Sequence, residues 1–316
     1  MNTSMKNIKK LLFALIFLFS FSNLIAETWN EPWQKEIIQK SDNFVFGKII
    51  ENNGTNVKVQ IVKRFGNETI PSEIIIDNYF LLELMSGSGQ IITTDLKKES
   101  SYYLFLKRNK NNNYSLPTPT SGFALLDNEQ VRATYRHSYH QALIPQSIYE
   151  FTYENIWNYY KTRKFDKEKI TNFINEQISK SPAGFEENEI SSFYLQHSAL
   201  ETSYLLDLTP DVKHILKFAK SDNFHSKVSA LQLLGNYKTK ESNDFLVSII
   251  LDKISSNFEK VIGIWSLKKS ESKEHLEILM KNISTLSDKS EGFGGNIMDP
   301  RVGTPFPSPK GAVESL

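Results

Sequence analysis

The sequence predicts an α+β protein in which a small β-barrel precedes a stack of helix pairs. Two observations carry this prediction. Up to about residue 145, short β-rich segments are separated by Asn and Gly turns. After that point, apolar residues recur every three or four positions, and part of the pattern recurs at a constant spacing along the chain. A chain of 316 residues is long enough to bury two hydrophobic cores.

The N-terminal segment Met1–Ala26 has the layout of a secretory signal peptide. Lys6, Lys9 and Lys10 precede an apolar run over 11–21, and small Ala26 precedes acidic Glu27. This pattern predicts cleavage between Ala26 and Glu27 and export to the periplasm or the medium. The run is too short for a transmembrane helix. An uncleaved N-terminal anchor is the alternative.

Composition narrows the function classes. The chain contains no cysteine, so an exported form would depend on its hydrophobic cores rather than on disulfides. Its net charge is only +1, and proteins that bind nucleic acids need an excess of Lys and Arg to neutralise phosphates. We therefore expect no nucleic-acid partner.

The β-rich half begins after a short helix that Pro32 opens. Residues 44–50 form the first predicted strand, and Asn52-Asn53-Gly54 predicts a hairpin turn. The next strand alternates apolar and polar residues from Val57, and the break at Val62 predicts a β-bulge or a sharp coil in the strand. Further strands are predicted over residues 74–76, 90–94, 102–106 and 114–116. Five or six such strands favour a closed or partly closed barrel.

This order of segments resembles netrin-like domains, the OB-type barrels shared with tissue inhibitors of metalloproteinases. The residues that carry the resemblance are Ser41-Asp42, then Val45, Gly47 and Ile49, then 57–65, then Tyr103-Leu104-Phe105-Leu106. It covers residues 32–160. Those inhibitors chelate the zinc of their target through an N-terminal cysteine, whereas the expected mature terminus here is Glu27. The resemblance therefore implies the barrel and not the inhibition.

The helical half begins with an aromatic helix over residues 149–160, whose rings we expect to pack the barrel against the helices. Asp166 is the predicted N-cap of the next helix. From residue 211 the pattern repeats at a constant spacing: Val212 returns as Phe245 and Ile278, and Val228, Ala230, Leu231 and Leu234 return as Val261, Gly263, Ile264 and Leu267.

The stretch Lys227-Val228-Ser229-Ala230-Leu231-Gln232-Leu233-Leu234-Gly235 resembles HEAT repeats, which implies an α-solenoid of stacked helix pairs over residues 187–290. The predicted organisation is a signal peptide over 1–26, an OB-like or netrin-like barrel over 27–145, a HEAT-like helical domain over 146–290, and a Gly/Pro-rich tail or cap over 291–316. A final helical turn can start at Lys310.

One segment is a candidate binding site because it crowds basic and aromatic side chains, which are enriched at binding hot spots. Its residues are Arg132, Tyr135, Arg136, His137, Tyr139 and His140. The alternative is a solvated connector between the barrel and the helices.

Catalytic and metal motifs do not stand out in the sequence, and we predict no cofactor and no metal. His137 and His140 have helical spacing, but a zinc site needs three or four ligands. His197 has Glu201 at helical spacing, and we expect it to be a packed, hydrogen-bonded histidine rather than half of an acid–base pair.

The sequence therefore favours an exported, non-catalytic binding or scaffolding protein that presents a helical-repeat surface to a protein partner in the cell envelope. The alternative is an envelope enzyme that hydrolyses glycans, or a protease-inhibitor-like protein, with a site that forms only in three dimensions. A structural envelope component is a third possibility.

Overall fold

The computed structural model describes residues 31–77, 82–85, 91–94, 96–290 and 306–316. Within these ranges the predicted α+β division is confirmed: a closed five-stranded barrel occupies the N-terminal half and helices occupy the C-terminal half. The predicted signal peptide, with its cleavage between Ala26 and Glu27, lies outside the described residues. No helix of the described ranges has an apolar stretch long enough to cross a bilayer.

The barrel closes because its first strand pairs on both edges. Its strands are β1 (Asn43–Asn52), β2 (Val57–Phe65), β3 (Glu73–Ile76), β6 (Ser101–Arg108) and β7 (Tyr114–Ser115). The order is β1-β2-β3-β7-β6, and β6 pairs with β1 again. All these pairings are antiparallel except β3 with β7. The interior is filled by buried side chains that include Val45, Ile49, Val59 and Leu104.

The hairpin and the bulge form where the sequence predicts them. Gly54 adopts a φ of +87°, and the Asn53 side chain accepts hydrogen bonds from two backbone N–H groups of the turn. In the β1–β2 ladder Phe46 pairs with Lys63 and Gly47 pairs with Ile61, so Val62 is the extra residue. A Cβ at Gly47 would lie 2.6 Å from a Val59 methyl group, which explains the glycine at this coiled position.

Three further strands extend the sheet beyond β6, and the sequence analysis missed them. They are β8 (Phe123–Asp127), β9 (Gln130–Ala133) and β10 (Ala142–Pro145), paired in the order β6-β8-β9-β10. A separate hairpin pairs β4 (Leu82–Met85) with β5 (Ile91–Thr94). Strand β5 lies within the strand predicted over residues 90–94. The other four, β4, β8, β9 and β10, were not predicted, because an alternation of apolar and polar residues over four or five positions is too brief to identify a strand.

Two helices cover the outside of the barrel. Helix α1 (Gln34–Lys40) precedes β1, and α2 (Gln146–Thr162) follows β10. The ring of Tyr149 lies 4.6 Å from that of Tyr103, and the ring of Trp157 lies 5.8 Å from that of Phe44. The expectation that the aromatic helix packs on the barrel is thus confirmed. The barrel exterior and the helices share one hydrophobic core.

The remaining helices are α3 (Lys167–Ile178), α4 (Ile190–Leu205), α5 (Val212–Ala219), α6 (Phe224–Leu234), α7 (Lys240–Leu251), α8 (Asn257–Ser270), α9 (Lys273–Lys281) and α10 (Pro309–Glu314), with a 3-10 turn at Ile283–Thr285. The Asp166 side chain caps α3 as predicted, accepting a hydrogen bond from the backbone N–H of Lys169.

Helices α4, α6 and α8 lie side by side, with α5 packed on α6 and α7 packed on α8. Close approach depends on small residues: a Cβ at Gly235 would lie 2.7 Å from the carbonyl oxygen of Ser266. At the end of this layer α10 packs on α8, and the ring of Phe306 stacks on Phe258 at 4.7 Å. Residues 306–316 therefore cap the helices, and 291–305 lie outside the described part.

Candidate functional site

The six residues singled out in the sequence lie at the junction of the barrel and the helices. Arg132 is separate from the rest: it is exposed on β9 and faces Asp127 at 3.7 Å. The other five turn inward on the segment between β9 and β10, which is buried rather than solvated. Fully buried are Tyr135, Arg136 and His137; half-buried are Tyr139 and His140. Their role in binding a partner stays a prediction.

Arg136 is the centre of a buried polar network. Its guanidinium lies 3.6 Å from a carboxyl oxygen of Glu201 and 3.3 Å from the hydroxyl of Ser229. It also donates to the backbone carbonyl of His225 on α6. Arg136 and Glu201 are only 6% and 1% exposed, so the pair is almost completely removed from water.

Ser229 links His197 and Glu201, the two residues of α4 that the sequence analysis found at helical spacing. Its hydroxyl donates to Oε1 of Glu201 at 2.6 Å and lies 3.3 Å from Nδ1 of His197. His197 is therefore a packed, hydrogen-bonded histidine, as expected. The second carboxyl oxygen of Glu201, Oε2, is buried and has no hydrogen-bond partner among the described residues.

Burial sets the charge states of this network. It raises the pKa of Glu201, although Arg136 and the hydrogen bond from Ser229 act in the opposite direction. Burial likewise lowers the pKa of Arg136, and Glu201 opposes that change. Each partner therefore needs the other to stay ionised, so the two charges are coupled.

Three imidazole rings gather beside the guanidinium. His140 stacks on His225 with ring centroids 4.1 Å apart, and it meets His197 edge-on at 4.2 Å. Burial is the first cause that lowers their pKa values, and the nearby Arg136 charge adds to it. The pKa falls to about 2 for His140 and to about 4 for His225, and it lies well below the usual value for His197. The rings are therefore neutral at physiological pH.

The network forms part of the wall of a cleft of about 250 Å³. Helix α1 and the segment after β9 form one side, and α4, α6 and α8 form the other. The cleft is lined by six large apolar or aromatic side chains and by seven polar or charged ones. The residues that line its space are Trp33, Tyr135, Arg136, Glu201, Tyr204, Leu205, Gln232, Ile262, Trp265 and Ser266, with Lys35, Glu36 and Lys269.

Local sequence explains how each helix supplies the cleft. On α4 the lining residues Glu201, Tyr204 and Leu205 are three and four positions apart, which places them on one helical face. On α8, Trp265 and Ser266 follow Ile262 by three and four positions, so these lining residues also share one helical face. On the opposite side, the backbone N–H at the start of α1 donates to the carbonyl of Arg136.

The aromatic walls meet where α1 approaches α8. The rings of Trp33 and Trp265 are 6.2 Å apart and nearly perpendicular. Trp33 also contacts His137 at 5.4 Å, and Trp265 contacts Phe306 of the C-terminal segment at 5.1 Å. Four distant parts of the chain therefore fix the walls of the cleft.

Two ammonium groups approach the ring of Tyr204. Lys269 lies 4.5 Å from the ring centroid and pairs with Asp207 at 2.9 Å, whereas Lys35 lies 5.7 Å from the centroid. Burial and the charge of Lys269 lower the pKa of Lys35, and the nearby charge of Asp207 acts in the opposite direction. No acidic group of the described residues lies within ion-pair distance of Lys35.

The sequence analysis did not single out Trp33, Lys35, Gln232 or Trp265 as site residues. The stripe on α8 that contains Trp265 has helical spacing, but that spacing is also typical of a core face. The described ranges contain no group of three or more His, Cys, Asp or Glu side chains that could hold a metal ion.

Comparison of the chain with protein-family models, with curated proteins and with solved structures gives no significant match.

Proposed function

We propose that this chain is an exported, non-catalytic binding protein that holds a protein partner in the cell envelope, with the cleft as its binding site. The observation that carries the proposal is the cleft itself, a concave space of about 250 Å³ with Trp33, Tyr204 and Trp265 in its walls. Concave sites lined by large aromatic side chains with a few polar or charged groups are typical of binding sites.

The architecture behind this site is a HEAT-like α-solenoid attached to an OB-like barrel. The side-by-side packing of α4, α6 and α8 supports the first part. Asn223 is the N-cap of α6 and Ser256 is the N-cap of α8. These two caps are separated by the same number of residues as Val228 and Val261, which is the spacing at which the apolar pattern recurs. The strand order β1-β2-β3-β7-β6 with β3 parallel to β7 supports the second part.

A binding role fits the carboxylates of the cleft better than glycan hydrolysis does. A glycosidase needs two carboxyl groups that reach the scissile bond, one to protonate the leaving group and the other to activate water or attack the sugar. Of the two carboxylates that line the cleft, Glu201 is only 1% exposed and faces Arg136, and Glu36 pairs with Lys40 at 3.0 Å. Export is supported by the basic, apolar and small-residue order of Met1–Ala26.

Affinity capture from the native cell envelope tests the proposal. We would compare the wild-type chain with Gln232→Arg, which fills the cleft with a larger cation, after mild cross-linking. The matched control is Gln141→Arg, because Gln141 is an exposed glutamine outside the cleft lining. Circular dichroism and thermal melting would establish that both variants fold.

We expect the wild type and Gln141→Arg to recover the same protein, and folded Gln232→Arg to lose it. If no protein is recovered, or if Gln232→Arg recovers it equally well, the cleft is not the binding site for a protein partner.

A further inference from the structure

A row of aromatic side chains crosses one end of the layer formed by α4, α6 and α8. Phe185 lies in the turn before α4 and is 55% exposed, and Phe224 begins α6 and is 41% exposed. Their rings lie 5.9 Å and 5.5 Å from the ring of His225, which contacts both. Phe224 also contacts the ring of Phe258 on α8 at 5.6 Å. This aromatic row therefore spans the starts of three neighbouring helices.

The exposed rings are held in place from behind. Phe185 packs on the buried ring of Phe193 with centroids 4.7 Å apart. The side chain of Asn223 donates to the backbone carbonyl of Ala183 at 3.1 Å, and this bond ties the turn before α4 to the start of α6. Because the rings are already ordered, a partner that packs on them loses little affinity to the ordering of side chains.

The aromatic row is separate from the cleft, because the residues that line the cleft include none of its four rings. Exposed rings that pack side by side leave apolar surface in contact with water. Contiguous patches of this kind mark interaction sites on protein surfaces. The row is therefore a second candidate surface for a partner.

The charges beside the aromatic row are acidic. Glu186 and Glu187 directly follow its first ring in the chain, and Asp222 lies just before α6; all three are exposed. None of these three carboxylates has an ion pair or a side-chain hydrogen bond within the described part of the chain. The one basic residue of α6, Lys227, is already paired with Glu259 at 3.2 Å.

The groups behind the row do not offset this negative charge. His225 is neutral at physiological pH, because burial lowers its pKa to about 4. Arg136 lies 3.2 Å behind its Nδ1 and is paired with Glu201 in the interior. The surface that a partner meets is thus apolar in the row and anionic beside it.

We propose that the aromatic row receives a basic, apolar segment of a second protein. Its Arg or Lys side chains would lie toward the three carboxylates, and its large apolar side chains would pack on Phe185 and Phe224. Long basic side chains suit such a surface twice, because their stems cover aromatic rings and their charges are attracted to the ring faces. This inference goes beyond the proposed function and does not depend on it, since the row lies outside the cleft.

Calorimetric titration of the full mature chain with synthetic peptides tests the inference. The probes are acetyl-Arg-Leu-Arg-Leu-Arg-amide, the acidic acetyl-Glu-Leu-Glu-Leu-Glu-amide, and acetyl-Arg-Gly-Arg-Gly-Arg-amide, which lacks the apolar side chains. We expect the first peptide to bind, and each of the others to bind at least about tenfold more weakly. Raising the salt from about 0.05 M to about 0.5 M should weaken the first peptide at least about threefold, because salt screens exposed charges.

Two variants assign this binding to the aromatic row. Phe224→Ser removes an exposed ring, and the double variant Glu186→Gln/Glu187→Gln removes two exposed charges; each should weaken the first peptide at least about threefold. The matched controls are Met280→Ser, an exposed apolar residue on α9, and Glu241→Gln, an exposed acid on α7. Neither control belongs to the row, and neither should change the affinity. Circular dichroism would establish that the variants fold.

Equal affinity for the Arg-Leu and Glu-Leu peptides, or no binding of the Arg-Leu peptide up to about 1 mM, overturns the inference. Unchanged affinity in both Phe224→Ser and the double glutamate variant also overturns it, because the peptide then binds elsewhere. Sedimentation with vesicles of phosphatidylcholine and phosphatidylglycerol at about 3:1, abolished by Phe224→Ser, would assign the row to a membrane surface instead. Capture of an envelope partner through the cleft is a separate result, so either proposal can fail without the other.

Discussion

Arg136 and Glu201 show how burial changes the value of an ion pair. An exposed ion pair contributes little to folding stability because water screens its charges. Removing one member of a buried pair is costly, because the other charge is then buried without an opposite charge. The same short segment contains an example of each kind: Arg136 faces Glu201 in the interior, and Arg132 faces Asp127 at the surface.

We predict that Arg136→Met lowers the free energy of unfolding by about 3–5 kcal/mol, because it leaves the Glu201 carboxyl buried without its cation. Arg132→Met is the matched control and should cost less than about 1 kcal/mol. Urea denaturation measures both. The double variant Arg136→Met/Glu201→Met should recover part of the loss. Equal effects of the two single arginine substitutions would contradict this description of the network.

The three imidazoles predict how stability depends on pH. In the folded chain their pKa values are depressed, to about 2 for His140 and about 4 for His225, whereas the pKa of an unfolded histidine is about 6.5. As the pH falls below that value, the unfolded chain takes up protons that the folded chain does not. The stabilisation is therefore complete above about pH 6.5 and decreases as the pH falls toward the folded pKa values.

His140→Phe tests this dependence, since the ring is kept and the titration is removed. Between about pH 7 and pH 5 the wild type should lose about 1–2 kcal/mol more stability than the variant. Denaturation midpoints at the two pH values measure the difference. An identical pH dependence in both proteins would mean that His140 has the same pKa in the folded and unfolded chains, and would contradict this prediction.

At the scale of elements, close contact between neighbouring helices holds the cleft together. Gly235 ends α6 where α8 passes, and its φ of −61° is one that any residue can adopt. The position requires glycine because there is no room for a side chain, and not because of its backbone conformation. A Cβ at Gly235 would lie 2.7 Å from the carbonyl oxygen of Ser266 and 3.0 Å from the Cα of Ser266.

We predict that Gly235→Ala destabilises the protein by about 1–3 kcal/mol. The gain from a less flexible unfolded chain, about 0.4–1 kcal/mol, is too small to offset a clash with the backbone of α8. Gly184→Ala is the control, because its Cβ would meet only the far end of the Glu189 side chain. Scanning calorimetry compares the two. A melting temperature for Gly235→Ala equal to that of Gly184→Ala would show that α6 and α8 have room to separate.

Elements that depend on local patterns were predictable from the sequence. The bulge at Val62, the turn at Gly54 and the cap at Asp166 each follow from a few neighbouring residues. The cleft was not predictable, because Arg136 and Glu201 belong to separate elements and meet only after the barrel packs on the helices. Basic and aromatic composition singled out the segment that contains Tyr135 and Arg136, but it did not reveal that most of this segment is buried.

At the scale of the whole molecule, the barrel and the helices act together because one hydrophobic core runs through both. Helix α1 precedes the barrel in sequence, yet Trp33 at its start contacts Trp265 of α8. The cleft thus depends on contacts between distant parts of the chain. A surface on the helices alone, as the sequence suggested, would lack the wall that α1 provides.

Site-specific photo-cross-linking in cells that make the native protein tests the central claim most directly. A photoreactive amino acid would replace Gln232 in the cleft or, as a control, exposed Gln60 on the outside of the barrel. The cleft position should give one dominant cross-linked species that excess unlabelled wild-type protein displaces, and the barrel position should give none. Cross-links from Gln60 alone, or equal cross-linking from both positions, would contradict the claim that the cleft receives the partner.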